Sequence, residues 1–247
     1  MGAARVVVLG AAGRLGREFV HAGVRLGHTV TAVARDREKL RAALQVPESA
    51  SLTFAEADAR DVDALVALMT GASAVVNSAG HARDGEAFVE LGHTVVQAAE
   101  RALGPGGRLW FVGGIGALRI PHTERLGVEL PGMLPIYQTH RRNHETLRAS
   151  GLDWSMLCPG PLRDTVEAPA LEDLRITTEV MPLDLEVSDA PDDTLLFSRL
   201  REQLAELTLP YTTVAELAMR HLEKGGPFSR QRVGLAFPQG HSARKKG

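Results

Sequence analysis

The feature that most constrains this chain is a turn of glycines set between a buried strand and a helix at its amino end. Arg5-Val6-Val7-Val8-Leu9 is a short β-branched run, the pattern of a strand covered on both faces. Gly10-Ala11-Ala12-Gly13-Arg14-Leu15-Gly16 follows at once and opens an apolar periodicity of helical spacing. Strand, glycine turn and helix together form a dinucleotide-binding βαβ unit. Gly10 turns sharply off the strand, where a Cβ would oppose positive φ. Gly13 lets the backbone approach a pyrophosphate, and Gly16 lets the new helix lie close against the sheet. The free N–H groups and positive dipole end of that helix then face the phosphates, with Ala12, Arg14 and Leu15 completing the cradle. The competing reading is a tight turn with no ligand.

The alternation continues along the chain. Apolar spacing carries the first helix to a stop at Gly27. Thr29 to Ala34 reads as a strand, Leu40 to Leu44 as a helix halted near Pro47, and Leu52 to Ala57 as a third strand. Asp61 is placed to cap a helix through Met69. Ser73 to Ser78 is the fourth strand, Glu86 to Leu103 a long helix and Arg108 to Val112 the fifth strand. A loop rich in Pro and Gly runs to about Pro135. Tyr137 to Ser150 then reads as a helix, and Asp153 to Cys158 as the sixth strand. Strands and helices in this order predict an α/β chain with a doubly wound parallel sheet, the Rossmann fold, covered by helices on both faces. Residues 163–210 break the rhythm; they are expected to form a small lobe over the substrate pocket, with a helical pattern around Leu195 to Leu207. Thr213 and Glu216 fit a capping box opening a helix to about Leu222. Gln231 to Phe237 is a last strand or an extended tail. The expectation is one domain over residues 1–239 and a solvated tail over 240–247.

Composition narrows the partners. The 247 residues carry a net charge of −2 and 44% hydrophobic residues, with no apolar run of transmembrane length. Neither nucleic acid nor a membrane is expected as a partner, and a small molecule is. The single cysteine, Cys158, excludes an intramolecular disulfide and fits a reducing compartment. The first strand begins within five residues of Met1, leaving no room for a signal peptide, so a cytoplasmic location is expected; a monomer or homodimer is expected as well.

The residues after the strands indicate which dinucleotide. An acidic residue ending the second strand would bond the adenosine ribose. Here Arg35 stands there, with Arg37 and Lys39 behind it, and guanidinium forks match a phosphate. Arg35 and Lys39, with Arg14 from the glycine turn, predict NADP(H) through its 2′-phosphate. Asp36, one residue late, remains able to serve a ribose. Asp58 and Ala59 follow the third strand, with Asp58 either meeting the adenine edge or capping a helix. Asn77, Ala79 and Gly80 leave the fourth strand on the adenine and ribose side. Gly113 and Gly114 wall the nicotinamide, and Pro159 and Gly160 cover it.

Gly10-x-x-Gly13-x-x-Gly16, Arg35-Asp36, and Leu147-Arg148-Ala149-Ser150-Gly151-Leu152-Asp153-Trp154 before Pro159-Gly160 resemble the atypical short-chain dehydrogenases/reductases. The resemblance is to the NAD(P)H-binding, NmrA-like group, which includes the flavin reductase/biliverdin reductase B type. His140-x-Arg142-x-His144-x-x-Leu147-Arg148-x-Ser150-Gly151-Leu152 is similar to one helix of that reductase type. It spans residues 5–162 well, 211–237 loosely and 163–210 not at all. Membership implies a single-domain NADP(H) binder, either a reductase or a redox-sensing regulator.

Ordinary short-chain dehydrogenases use Tyr-x-x-x-Lys and a serine after the fifth strand. Tyr137 has Arg141 four residues on, and Gly113-Gly114 stands where the serine would be. Arg141 is expected to keep a positive charge beside Tyr137 on one helix face, without shuttling a proton. Tyr137 is the candidate proton donor, or a structural tyrosine at a helix start. His140 and His144, at i and i+4, share a helix face; they are read as a solvated or hydrogen-bonded pair, with either able to protonate an acceptor. No third ligand completes a metal site with them. His81 and Arg83 are placed for an anionic substrate or the cofactor diphosphate. Cys158 reads as an inert core thiol. Two functions follow: an NADPH-dependent reductase passing hydride to a flavin, quinone or carbonyl compound, or a non-catalytic NADP(H)-sensing regulator that binds a partner.

Overall fold

The computed structural model describes residues 2–164, 169–186 and 192–242. Its first half is a run of strands and helices: β1 (Arg5–Leu9), α1 (Arg14–Arg25), β2 (Thr29–Ala34), α2 (Arg37–Leu44), β3 (Leu52–Glu56), α3 (Val62–Met69), β4 (Ala74–Asn77), α4 (Glu86–Leu103) and β5 (Arg108–Val112). Then come α5 (Gln138–Ala149), β6 (Asp153–Leu157), β7 (Leu162–Arg163), β8 (Arg175–Thr178), α6 (Asp193–Glu202), α7 (Leu204–Leu207), β9 (Leu209–Pro210), α8 (Tyr211–Arg220) and β10 (Gln231–Ala236). The strands β3-β2-β1-β4-β5-β6-β10-β8 form one sheet, parallel except for β8 at the edge. This is the doubly wound α/β fold expected from the alternation.

The valines of β1 explain why its face is buried twice. Val7 and Leu9 point into a core shared with Leu65, Met69, Val95 and Leu147 of α3, α4 and α5. Val6 and Val8 point into the opposite core, with Phe19, Leu40, Val214 and Leu217 of α1, α2 and α8. Strand order reverses at β1, between β2 and β4, so the chain leaves β1 and β4 side by side toward opposite faces. In such sheets that reversal opens a crevice at the carboxyl ends of the strands.

Local signals set several boundaries well. Asp61 caps α3 by accepting from the N–H groups of Asp63 and Ala64 at 3.1 and 3.0 Å. Gly27 sits at φ +83°, just past the last turn of α1. Two expectations change. The capping box at Thr213 is not formed: α8 begins at Tyr211 behind Pro210, whose ring fixes the helix entry. Thr213 is buried inside the helix, and Glu216 pairs with Arg25 and Arg220 instead. The interval 163–210 is less separate than expected, because β8 joins the main sheet antiparallel to β10, with Val233 opposite Thr178. The open choice at Gln231 to Phe237 resolves as a strand, parallel to β6. The expected tail lies mostly outside the described residues. Among the described residues, no helix is long and apolar enough to cross a membrane.

Candidate functional site

The crevice begins where β1 and β4 end. Gly10 has φ +74°, and a Cβ there would lie 2.7 Å from the backbone of Ser78 and Ala79. The two exits are therefore in backbone contact. Ser78 ties them further, donating from its N–H and its Oγ to the Leu9 carbonyl at 3.0 and 2.8 Å. A Cβ on Gly16 would stand 2.1 Å from the Gly10 carbonyl oxygen, so α1 starts pressed onto the loop. Gly13 is the N-cap of α1 and no side chain caps that end, leaving first-turn N–H groups for a ligand.

A polar cavity of about 1100 Å³ opens on this loop. Gly10, Ala12 and Gly13 meet Arg35, Asp36 and Lys39 from the β2 exit, Asp58, Ala59 and Arg60 from the β3 exit, and Ala79 and Gly80 from the β4 exit. The charges are already sorted. Arg60 grips Asp58 through Nε and Nη2, at 3.0 and 2.6 Å from its two oxygens, and these bonds hold that carboxyl down at about 2. Asp36 caps α2, accepting from the Lys39 N–H at 2.9 Å, and its carboxylate sits 3.5 Å from the Lys39 ammonium. Asp36 is thereby engaged at the helix start. Arg35 is exposed in the cavity wall and has no ion-pair partner among the described residues. A free guanidinium and an uncapped helix end on one cavity suit the anionic groups of a dinucleotide.

Three expected members lie elsewhere. Arg14 is exposed and lines neither cavity, because the first turn of α1 carries it outward. Gly16 is buried under the loop. Asn77 is 1% exposed and points inward; its Oδ1 accepts from the Ala79 N–H at 3.2 Å, shaping the turn that presents Ala79 and Gly80.

A second cavity, about 660 Å³ and mostly apolar, adjoins the first through the shared residues Ser78, Ala79 and Gly80. Leu15 lines this one. Its floor is Gly113 to Gly116 from the β5 exit, and Pro159 to Leu162 from the β6 exit stands beside it. The two segments are fastened by Gly113 and Ile115 N–H groups donating to Leu157 and Pro159 carbonyls at 2.7 and 2.9 Å. A serine at either glycine would force a neighbouring side chain to move. A Cβ on Gly113 would meet the Met156 side chain at 2.6 Å, and one on Gly114 would meet His140 Nε2 at 2.9 Å.

His140 fills that space. Its ring stacks on Tyr137 at 6.2 Å between centroids and meets Phe88 edge-on at 5.7 Å. Both Tyr137 and His140 line the cavity. Burial, aided by the nearby His81, pushes the His140 imidazole down to about 4, so it is neutral at pH 7. This corrects the expectation of a solvated histidine titrating near cell pH. Nδ1 is buried without a partner, which leaves Nε2, on the Gly114 side, as the atom with access to the cavity. His144 turns inward to meet Trp154 at 5.3 Å, and burial likewise pushes it down to about 4. Arg141 leaves the site altogether. Tyr137 ends the 3₁₀ turn Pro135–Tyr137 and is the N-cap of α5, and Arg141 lines neither cavity. Arg141 instead faces Glu145 at 3.8 Å, one turn along. Cys158 is fully buried and its thiol is pushed up to about 12.

Part of the interval 163–210, expected as a lobe over the substrate pocket, lines the second cavity. Phe197, Leu200, Arg201 and Leu204 line it from α6 and the start of α7. They are spaced i, i+3, i+4 and i+7, the one signal that marks a shared helix face. His81 and Arg83 line the same cavity, with His81 Nδ1 accepting from the Arg83 N–H at 3.0 Å. Among the described residues, no three His, Cys, Asp or Glu side chains gather as a metal site.

Residues 10–184 match the protein family described as NAD(P)H-binding. No curated protein matches the chain. Solved structures share its fold at low identity. A Rossmann-fold NAD(P)-binding family protein from Shigella flexneri is 19% identical, with a TM-score of 0.66 over 100% of this chain and 99% of that one. A protein from Streptococcus pneumoniae, described as a candidate NADH-flavin reductase, is 19% identical at TM-score 0.66, covering 95% and 99%. A wide-type short-chain dehydrogenase/reductase from Veillonella parvula, solved with NADP, is 18% identical at TM-score 0.67, covering 96% of each chain.

Proposed function

The chain belongs to the NAD(P)H-binding family, and from that membership we propose that it is an NADPH-dependent reductase of a small organic acceptor, a flavin, quinone or carbonyl compound. The observation that carries the reading is the pair of adjoining cavities, one polar and charged, the other apolar and glycine-floored. Arg35 would take the 2′-phosphate, the uncapped start of α1 the diphosphate, and Ala79 and Gly80 the ribose side. Gly113 and Gly114 would lie beside the nicotinamide. When bound, the reduced nicotinamide supplies the hydride; the protein supplies position and a water-poor wall.

The residues facing the acceptor set how it is protonated. Neutral His140 can donate a hydrogen bond from Nε2 to an acceptor oxygen or nitrogen, but it is not an imidazolium at pH 7. Tyr137, stacked on His140, brings a side-chain hydroxyl to this wall, and Ser78 and Tyr211 also line the cavity. No lysine accompanies it in the cavity lining. This set suits acceptors that take their proton from Tyr137 or solvent after receiving hydride. A regulatory NADP(H) sensor is the second reading, favoured by that reduced acid–base set.

One measurement separates the two. NADPH oxidation is followed against flavins, quinones and small carbonyl compounds, beside direct titration of NADPH and NADH binding. Turnover with at least one acceptor, slowed by Tyr137→Phe or His140→Asn, supports the reductase. Tight NADPH binding with no turnover on any acceptor selects the sensor.

A further inference from the structure

We propose, resting on the reductase reading, that the acceptor is an acid: an apolar body carrying a carboxylate that Arg83 and Arg201 receive at the rim of the apolar cavity. The lining explains the sign. It includes Arg83 and Arg201 and no Asp or Glu among the described residues. Its two histidines do not change this. His140 is held neutral by burial, and His81 Nδ1 accepts the Arg83 N–H.

The two guanidiniums come from separate elements. Arg83 lies in the 3₁₀ turn Ala82–Asp84 that follows β4, and Arg201 lies on α6. Both residues are exposed, and neither guanidinium has an ion-pair or hydrogen-bond partner among the described residues. The contrast along α6 is instructive. Arg199 bonds Glu202 at 2.9 Å, whereas Arg201 shares the cavity-facing stripe with Phe197, Leu200 and Leu204. An arginine on an apolar stripe, without a protein acid to meet it, is placed for an anion on the ligand. Guanidinium forks bind carboxylates through paired hydrogen bonds, and apolar surroundings strengthen them. The body of such an acid would rest on Phe88, Met133, Ile136, Met181 and Phe197, all of which line the cavity.

The test uses full-length protein saturated with NADP⁺ and three probes: 2-naphthoate, its methyl ester and 2-naphthyl phosphate. Isothermal titration calorimetry reads binding directly, without turnover. The acid is expected to bind about tenfold more tightly than the ester, the increment of one good charge-assisted hydrogen bond. Arg201→Gln and Arg83→Gln should each reduce the acid's affinity several-fold and leave the ester's unchanged. Arg201→Lys should recover part of the loss. Since both side chains are without partners, melting temperatures should match the parent. Equal affinity for acid and ester, with NADP⁺ still binding, overturns the anion site and leaves the reductase reading standing. The same arginine dependence with phosphate bound more tightly than carboxylate overturns the assignment of the acid. If Arg83→Gln weakens NADP⁺ and spares naphthoate, Arg83 belongs to the cofactor and the two-arginine site is refuted. Failure of NADP⁺ to bind the parent protein refutes the underlying reading instead.

Discussion

Replacing Arg35 by glutamine tests the cofactor preference at the residue where the polar cavity is least self-sufficient. Lys39 is held by Asp36 and Arg60 by Asp58, so their charges are partly answered from within the protein. Arg35 is answered by no ion pair among the described residues. A phosphate brought to it would gain one or two charge-assisted hydrogen bonds, worth about 1.5–3 kcal/mol, or about ten- to a hundredfold in affinity. Exposure puts the expected loss of NADPH affinity in Arg35→Gln at the lower end, about tenfold at moderate ionic strength. NADH lacks the 2′-phosphate and should bind the variant and the parent alike. Titration of the nicotinamide fluorescence at two salt concentrations measures both. The NADPH loss should shrink as salt rises, because the missing term is electrostatic. Equal losses for NADPH and NADH would refute the reasoning, since the cost would then come from distorted backbone and not from the phosphate.

Gly16→Ala places a methyl group 2.1 Å from the Gly10 carbonyl oxygen and 2.7 Å from its carbon, both backbone atoms that cannot rotate away. It should cost about 2–3 kcal/mol and lower Tm by about 5–10 °C, with loss of nucleotide binding; an unchanged thermal melt would count against this packing. His140, at about 4 when folded and 6.5 when unfolded, binds its proton more readily in the unfolded chain. Its contribution to stability is therefore intact above pH 6.5 and lost progressively as pH falls toward 4, amounting to about 2 kcal/mol between pH 7 and 5. His140→Phe should narrow the gap between the urea midpoints at those two pH values, and an unchanged gap would refute the burial argument.

How far the sequence could be read depended on what sets each residue's position. Gly10 and Gly16 were legible because their tasks are steric and local: one needs positive φ, the other tolerates no Cβ against a carbonyl. Arg35, Asp58 and Ala79 were legible because topology alone delivers the residues after β2, β3 and β4 to one crevice. Side-chain direction was less accessible. Arg141 lines neither cavity and meets Glu145 one turn along, a side-chain direction that i, i+4 spacing alone does not fix. Asn77 turned inward because the backbone at Ala79 needed an acceptor. Least accessible was which residues of the expected 163–210 lobe join the sheet or face the cavity. Arg175–Thr178 becomes a strand only through pairing with β10, about sixty residues on in sequence, and the α6 stripe faces a cavity built by other elements.

The absence of serine after β5 and the burial of His140 are one fact seen from two sides. The volume a side chain at 114 would occupy is taken by the His140 ring, whose Nε2 would lie 2.9 Å from a Cβ there. Stacking on Tyr137 and edge contact with Phe88 hold the ring from two further directions. A serine at 114 alone would therefore press on the imidazole and not restore a hydroxyl to the cavity. Position 141 lines neither cavity, and its arginine meets Glu145. The wall here is a neutral imidazole and Tyr137 over a glycine floor. Such a wall can orient a flat acceptor and donate one hydrogen bond, and it places the demand for binding energy on the apolar walls and the cations at the rim. Substrate selection is accordingly expected to respond more to Arg201 and Phe197 than to any residue beside the nicotinamide.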